Sequence, residues 1–404
     1  MKKMNTQIGF SVIVINIFTN MIYLKLISNK SISNILRSDP LSTSITIFII
    51  ATFGAFIQIV GGSWDITFHL MKKPETFFTP SHTMLYSGIG LLIISAAISA
   101  TLLLKNKEIH TKSFSSALKL LIIGSILSAV AGPSDYIWHS IFGIDGILSP
   151  THITLITGML INSIAIVLGL ARIIKYLPKH TEKKLVKALL IPAFASMWLT
   201  MIWYVYFFAL PLSKGVHFDF NLNTIYEFLI AIIALPAINS IVFITASRTI
   251  GKFGGASAVT ALLLAMISFT NIIPSTQLIP FLPWYLMLII PAVVSDLIAN
   301  NHLIFKSNQL NPKDRSLIIA GAIIGLNFYI MGYPMLPITF ADPLGYTFNS
   351  LNDILENFIN TFPSAFILTA IPGIIMGIIG AFISSKKIKI PDTNISNSML
   401  SSKV

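Results

Sequence analysis

An all-α, polytopic transmembrane bundle of about eleven helices is the fold class that this sequence predicts. Three observations carry that expectation. Hydrophobic residues make up 54% of the chain and charged residues only 10%, whereas a soluble domain carries about a quarter charged residues. The mean hydropathy is correspondingly high, at +0.80. The apolar residues fall in runs close to the ~20 residues that a helix needs to cross a hydrocarbon core. Finally, Lys and Arg collect in alternate loops between those runs, the bias that sets membrane orientation.

Taken in order, the runs fall at roughly 7–27, 44–71, 82–104, 114–142, 152–175, 184–211, 223–247, 254–274, 279–299, 315–338 and 362–384. The first follows Lys2 and Lys3 but contains Asn16, Asn20 and Tyr23 and has no small-residue cleavage site, so it reads as an anchor rather than a signal peptide. Four segments result: an anchor helix and loop (1–43), a duplicated helical-hairpin region (44–178), a C-terminal transmembrane bundle (179–385) and a Ser-, Asn- and Lys-rich disordered tail (386–404). Pro236, Pro274, Pro280, Pro283, Pro291, Pro334, Pro337 and Pro372 are expected to kink or interrupt the later spans.

The formal net charge of +12 sits in loops without interleaved aromatics, so it argues for topology and not for nucleic acid. One set of loops holds Lys25, Lys30, Arg37, Lys105, Lys107, Lys112, the cluster from Arg172 to Lys184, Arg248, Lys252, Lys306, Lys313, Arg315 and the C-terminal lysines. The other set holds only Lys2, Lys3, Lys72, Lys73 and Lys214. The first set is therefore cytoplasmic. The loops around 72–81, 143–151, 212–222 and 339–361 face outward from a multi-pass protein of the cell membrane.

Two outward loops and their flanking helices are copies of one another. Gly61–Gly88 (GGSWDITFHLMKKPETFFTPSHTMLYSG) aligns without a gap on Ala131–Gly158 (AGPSDYIWHSIFGIDGILSPTHITLITG) at an offset of 70. Gly62, Asp65, His69, Pro80, His82, Leu85 and Gly88 recur as Gly132, Asp135, His139, Pro150, His152, Leu155 and Gly158. Self-similarity of this kind marks a supersecondary unit used twice.

Asp65 and His69, like Asp135 and His139, are four residues apart near a helix end and share a face. His82 and His152 follow a Pro-Ser or Pro-Thr pair that reads as the entrance of the returning helix, with Ser81 or Thr151 as its expected cap. Each hairpin thus offers one carboxylate and two imidazoles with coordination positions to spare. That donor set suits copper, zinc or iron rather than calcium or magnesium. The chain has no cysteine, which excludes thiolate ligands, disulfides and Cys nucleophiles. An Asp–His pair is also a common buried hydrogen bond. The recurrence of all three residue types, which takes up four of the eight histidines, favours metal.

With Asp65 and His69 upstream, the string Phe77-Phe78-Thr79-Pro80-Ser81-His82 resembles the metal-site segment of the C subunit of particulate methane and ammonia monooxygenases. In that family the segment binds copper within the membrane. The resemblance implies that Asp65, His69 and His82 are copper ligands. Asp135, His139 and His152 match the ligand spacing and, in Ser149-Pro150-Thr151-His152, part of the string. It spans about 28 residues, twice, of the 404, and implies a membrane oxygenase component; the sequence shows no electron-donor site, so such a protein would need a reductant and partner subunits.

Other residues invite weaker readings. Glu75 and Asp145 occupy matching loop positions and could orient ligating histidines. Trp64 and Trp138 read as an interfacial aromatic belt. His217, Asp219 and Glu227 lack the helical Asp-x3-His signature, Met331, Tyr333 and Met335 read as packing, and Asp296 and His302 lie on the cytoplasmic side. No phosphate-loop, dinucleotide, HExxH or GxSxG string occurs. Three functions follow: a copper-dependent oxygenase component acting on a small apolar substrate, a copper or zinc transport or delivery protein, and a metal-stabilised scaffold.

Overall fold

The structure is a computed structural model and describes residues 39–70, 76–143, 148–177, 180–209, 224–251, 254–272, 279, 282–300, 312–327 and 351–387. Among these residues the regular structure is helical. We number the helices α1 (Pro40–Leu70), α2 (Pro80–Lys105), α3 (Ser115–Phe142), α4 (Pro150–Ile173), α5 (His180–Ala209), α6 (Thr224–Ile250), α7 (Gly255–Ile267), α8 (Ile289–Asn300), α9 (Pro312–Leu326) and α10 (Leu351–Lys387). Seven stretches, on α1 to α6 and α10, are long and apolar enough to cross a membrane. The predicted anchor at 7–27 and the tail beyond Lys387 lie outside the described residues.

The predicted spans at 254–274, 279–299 and 315–338 are described only in part, as the apolar helices Gly255–Thr270, Ile289–Ile298 and Arg315–Leu326. The run at 279–299 breaks between a helical turn, Leu282–Met287, and α8. Pro291 supplies the reason: it has no N–H to offer the carbonyl of Met287, so a continuous helix would lose a bond and gain a clash there. Pro236, expected to disturb its span, lies inside α6 without ending it. The stretch 339–361, read as an outward loop, is helical from Leu351 onward.

α1 pairs with α2 and α3 with α4, each as an antiparallel hairpin, and α2 packs on α3 to join the two. α5 lies against α1 and α4, and α10 runs between α6 and α9. Each hairpin crosses on glycine. A Cβ at Gly88 would meet the backbone N of Gln58 at 2.5 Å and the carbonyl oxygen of Gly54 at 2.6 Å. A Cβ at Gly158 would meet the backbone N of Ser128 at 2.7 Å and the carbonyl oxygen of Gly124 at 2.8 Å. These backbones touch, as small residues allow between membrane helices. Gly88→Ala is therefore expected to destabilise the protein by about 1–3 kcal/mol, seen as a lower Tm in detergent. An unchanged Tm would mean that the hairpin does not depend on this contact.

Beneath the crossings lies an apolar core whose largest fully buried side chains include Trp198, Phe48, Phe194 and Phe243. Ile123, Ile126, Val130, Ile137 and Ile141 of α3 and Ile367, Ile371, Ile375 and Ile379 of α10 are exposed, as apolar residues facing lipid should be. Among the described residues Asp296 is the one wholly buried acidic side chain, and it is fully engaged. The Asp296 carboxylate accepts from Ser247 Oγ at 2.7 Å, Ala256 N at 3.0 Å, Ser257 N at 2.8 Å and Ser257 Oγ at 2.7 Å. It satisfies two orphan amides at the N-terminus of α7 and pins α6, α7 and α8 together.

Candidate metal centres

The hairpins place the predicted ligands at one end of the bundle, where α1 and α3 finish and α2 and α4 begin. Pro80 and Pro150 stand at the first positions of their helices, where a missing N–H costs nothing. The helix entrance is capped differently from the expectation. In the second hairpin Ser149 is the cap, accepting from the backbone N of His152 at 3.1 Å. In the first, Thr79 makes no side-chain cap bond; its hydroxyl donates to the Thr76 carbonyl at 3.1 Å. Ser81 and Thr151, the expected caps, turn inward instead. Ser81 Oγ donates to Asp65 Oδ1 at 3.0 Å and Thr151 Oγ1 to Asp135 Oδ1 at 2.7 Å. Each carboxylate is thus aimed by a hydroxyl from the facing helix.

In the second hairpin all three predicted residues converge. His139 Nε2 lies 3.4 Å from Asp135 Oδ2, and His152 Nε2 lies 3.2 Å from Asp135 Oδ1. One ligand atom from each of Asp135, His139 and His152 lies within 4.8 Å of the other two; among the described residues this is the one such trio. Two ligands about 2.0–2.1 Å from a tetrahedral ion stand roughly 3.3 Å apart, so the nitrogen–oxygen separations already match a shared ion. In the first hairpin His82 Nε2 lies 2.8 Å from Asp65 Oδ1. The backbone of His69 belongs to α1, but its side chain lies outside the described residues, as do Glu75 and Asp145.

The outer ring nitrogens are spoken for. His82 Nδ1 is 2.8 Å from the Thr76 carbonyl and His139 Nδ1 is 3.0 Å from the Gly143 carbonyl. A carbonyl can only accept, so Nδ1 carries a hydrogen and Nε2, neutral or protonated, is the ring nitrogen that faces the carboxylate. Two acceptors cannot face each other at such distances without a cation between them, either a proton or a metal ion. Backbone carbonyls that fix the tautomer in this way are the usual outer partners of metal-bound histidine. The ligand side chains are 15–20% exposed, so the centres lie near the surface of the bundle end.

Aromatic side chains enclose both groups. His152 sits beside Phe207 of α5, with ring centroids 6.4 Å apart, and Tyr204 on the same helix shares a 2.6 Å hydrogen bond with Thr157. Trp138 packs on Phe142 at 4.5 Å. Trp64, read from sequence as an interfacial residue, is 7% exposed and meets Phe68 edge-on, so it is an inward-facing wall. Phe77, Phe78, Pro133, Tyr136 and Ile137 line an apolar groove of about 410 Å³ alongside. Tyr86, stacked on His82, went unread in the sequence; its place four residues after a ligand, on the same helical face, was the available signal.

Met331, Tyr333, Met335, His217, Asp219 and His302 lie outside the described residues, as does the side chain of Glu227. Comparison with protein-family models, with curated proteins and with solved structures gives no match.

Proposed function

We propose that this is a multi-pass protein of the cell membrane whose two outward-facing Asp-His-His centres, Asp65/His69/His82 and Asp135/His139/His152, bind copper, and that it serves as a component of a membrane oxygenase. The observation that carries the reading is the convergence of Asp135, His139 and His152 from two helices, with ligand atoms at ion-sharing distances. The same Asp–His contact at the same offset in the first hairpin supports a second centre. Carboxylate and imidazole donors without thiolate accept copper, with zinc and iron as the lesser fits.

Bound copper would supply dioxygen chemistry at an open coordination position. The protein's own part is to aim the carboxylates through Ser81 and Thr151, to fix the imidazole tautomers through Thr76 and Gly143, and to exclude water with Phe77, Trp138 and Phe207. The apolar groove beside Tyr136 gives a small apolar substrate a route from the bilayer. The reductant has no binding residues to point to in the sequence, which assigns electron delivery to partner subunits.

The prolines scattered through the C-terminal half, with the helix break before α8, favour a second reading, copper or zinc delivery, because broken helices line cavities in transporters. The test is metal analysis with copper EPR on protein purified from membranes, beside a His82→Ala/His152→Ala variant. About two coppers per chain, lost in the variant, is the expected result, and oxygen consumption with a reductant then separates oxygenase from delivery protein. No transition metal in either form after reconstitution would leave the hairpins as hydrogen-bonded structural units.

A further inference from the structure

We propose that Tyr86 is the positioning residue through which the two metal centres sense one another's occupancy. The inference rests on the reading above that both trios hold metal. Four contacts place Tyr86 at the seam. Its ring stacks on His82 of the first centre, with centroids 5.9 Å apart and planes at 28°. Its far edge lies over Gly132 of α3, where a Cβ would stand 3.5 Å from Tyr86 Cε1. Gly132 is one helical turn before Asp135, the carboxylate of the second centre. Phe77 then touches both Tyr86, at 4.9 Å, and Tyr136, at 5.2 Å, the residue next to Asp135.

The hairpin itself does not call for this residue. At the matching position of the second hairpin stands Ile156, which is buried. Tyrosine occurs only where the first hairpin abuts the second. A metal ion in the second centre would draw Asp135, His139 and His152 together and fix the turn from Gly132 to Tyr136. That turn is the shelf on which Tyr86 rests, and Tyr86 is the plate against which His82 lies. Filling one centre thereby preorganises a ligand of the other, and because linkage is reciprocal the effect runs both ways.

The experiment is calorimetric titration of the full-length chain in detergent with Cu(II) alone, arranged as a double-mutant cycle. Removing the second centre by His152→Ala is expected to weaken copper binding at the first by about fivefold or more, the lower range of allosteric coupling. In a Tyr86→Leu background, His152→Ala should leave the first centre unchanged. Tyr86→Phe, which keeps the ring, should restore the coupling, a rescue that loss of folding would not show. Should Tyr86→Leu fail to fold, Gly132→Val carries the same test by displacing the ring from α3. Two coppers bound without coupling in the wild type, or coupling that survives both Tyr86→Leu and Gly132→Val, overturns this inference and leaves the metal reading standing. No copper bound by the wild type overturns both.

Discussion

Asp135→Ala is expected to remove about one equivalent of copper per chain at saturating metal, with the Asp65 centre still loaded. The carboxylate is the hinge of its trio: one oxygen faces His139 at 3.4 Å and the other faces His152 at 3.2 Å. Without it, two imidazoles remain with no charge to balance a dication at the end of a membrane helix. Asp65→Ala should have the reciprocal effect, and His139→Ala should match Asp135→Ala. Thr151→Val is a graded control. It removes only the 2.7 Å hydroxyl that aims the carboxylate, so it should weaken binding by roughly 10–100-fold without abolishing it. Full copper content in Asp135→Ala and Asp65→Ala would sink the ligand assignment, whatever EPR shows for the wild type.

The second large effect lies at the other end of the molecule. Asp296→Ala is expected to lower stability by about 3 kcal/mol or more, because four donors lose a buried acceptor together. Two are backbone amides at the start of α7, that of Ala256 buried and that of Ser257 partly so, and two are the hydroxyls of Ser247 and Ser257. Asp296→Asn should fall between wild type and Ala, since its amide can accept from two donors but opposes the others with its own N–H groups. Copper content should be unchanged in the folded fraction of both variants, since Asp296 contacts neither centre. A wild-type Tm in Asp296→Ala would show that α6, α7 and α8 hold together without this pin.

The convergence of Asp135, His139 and His152 was legible in the sequence because helical spacing and the Pro-initiated return leave little freedom. Asp135 and His139 must share a face, and a short loop must bring His152 back to it. What could not be read was orientation. Whether Thr151 would cap its helix or reach across to Asp135 depends on how closely α3 and α4 approach, and Gly124 and Gly158 set that approach. The partners of His82 and His139 are backbone carbonyls, which carry no residue-type signal at all. Hydropathy alone does not set the helix boundaries in the later part of the chain. It registers that 279–299 is apolar, while the break before α8 was signalled by Pro291, which withholds the N–H that a continuous helix needs. At 351–361 it took polarity for a loop, although Asn, Asp and Glu are compatible with a helix.

Because Asp135, His139 and His152 all come from α3 and α4, this centre is inherited as one contiguous cassette. Its ligands need no partner from elsewhere in the chain, so a copy can be duplicated, retuned or lost without dismantling its neighbour. Beside the broader packing of α2 on α3, one contact between the cassettes that reaches toward both trios is an aromatic side chain resting on a bare glycine. Evolution could thus join two independent centres, or release them again, by changing one residue at the seam while leaving every ligand in place.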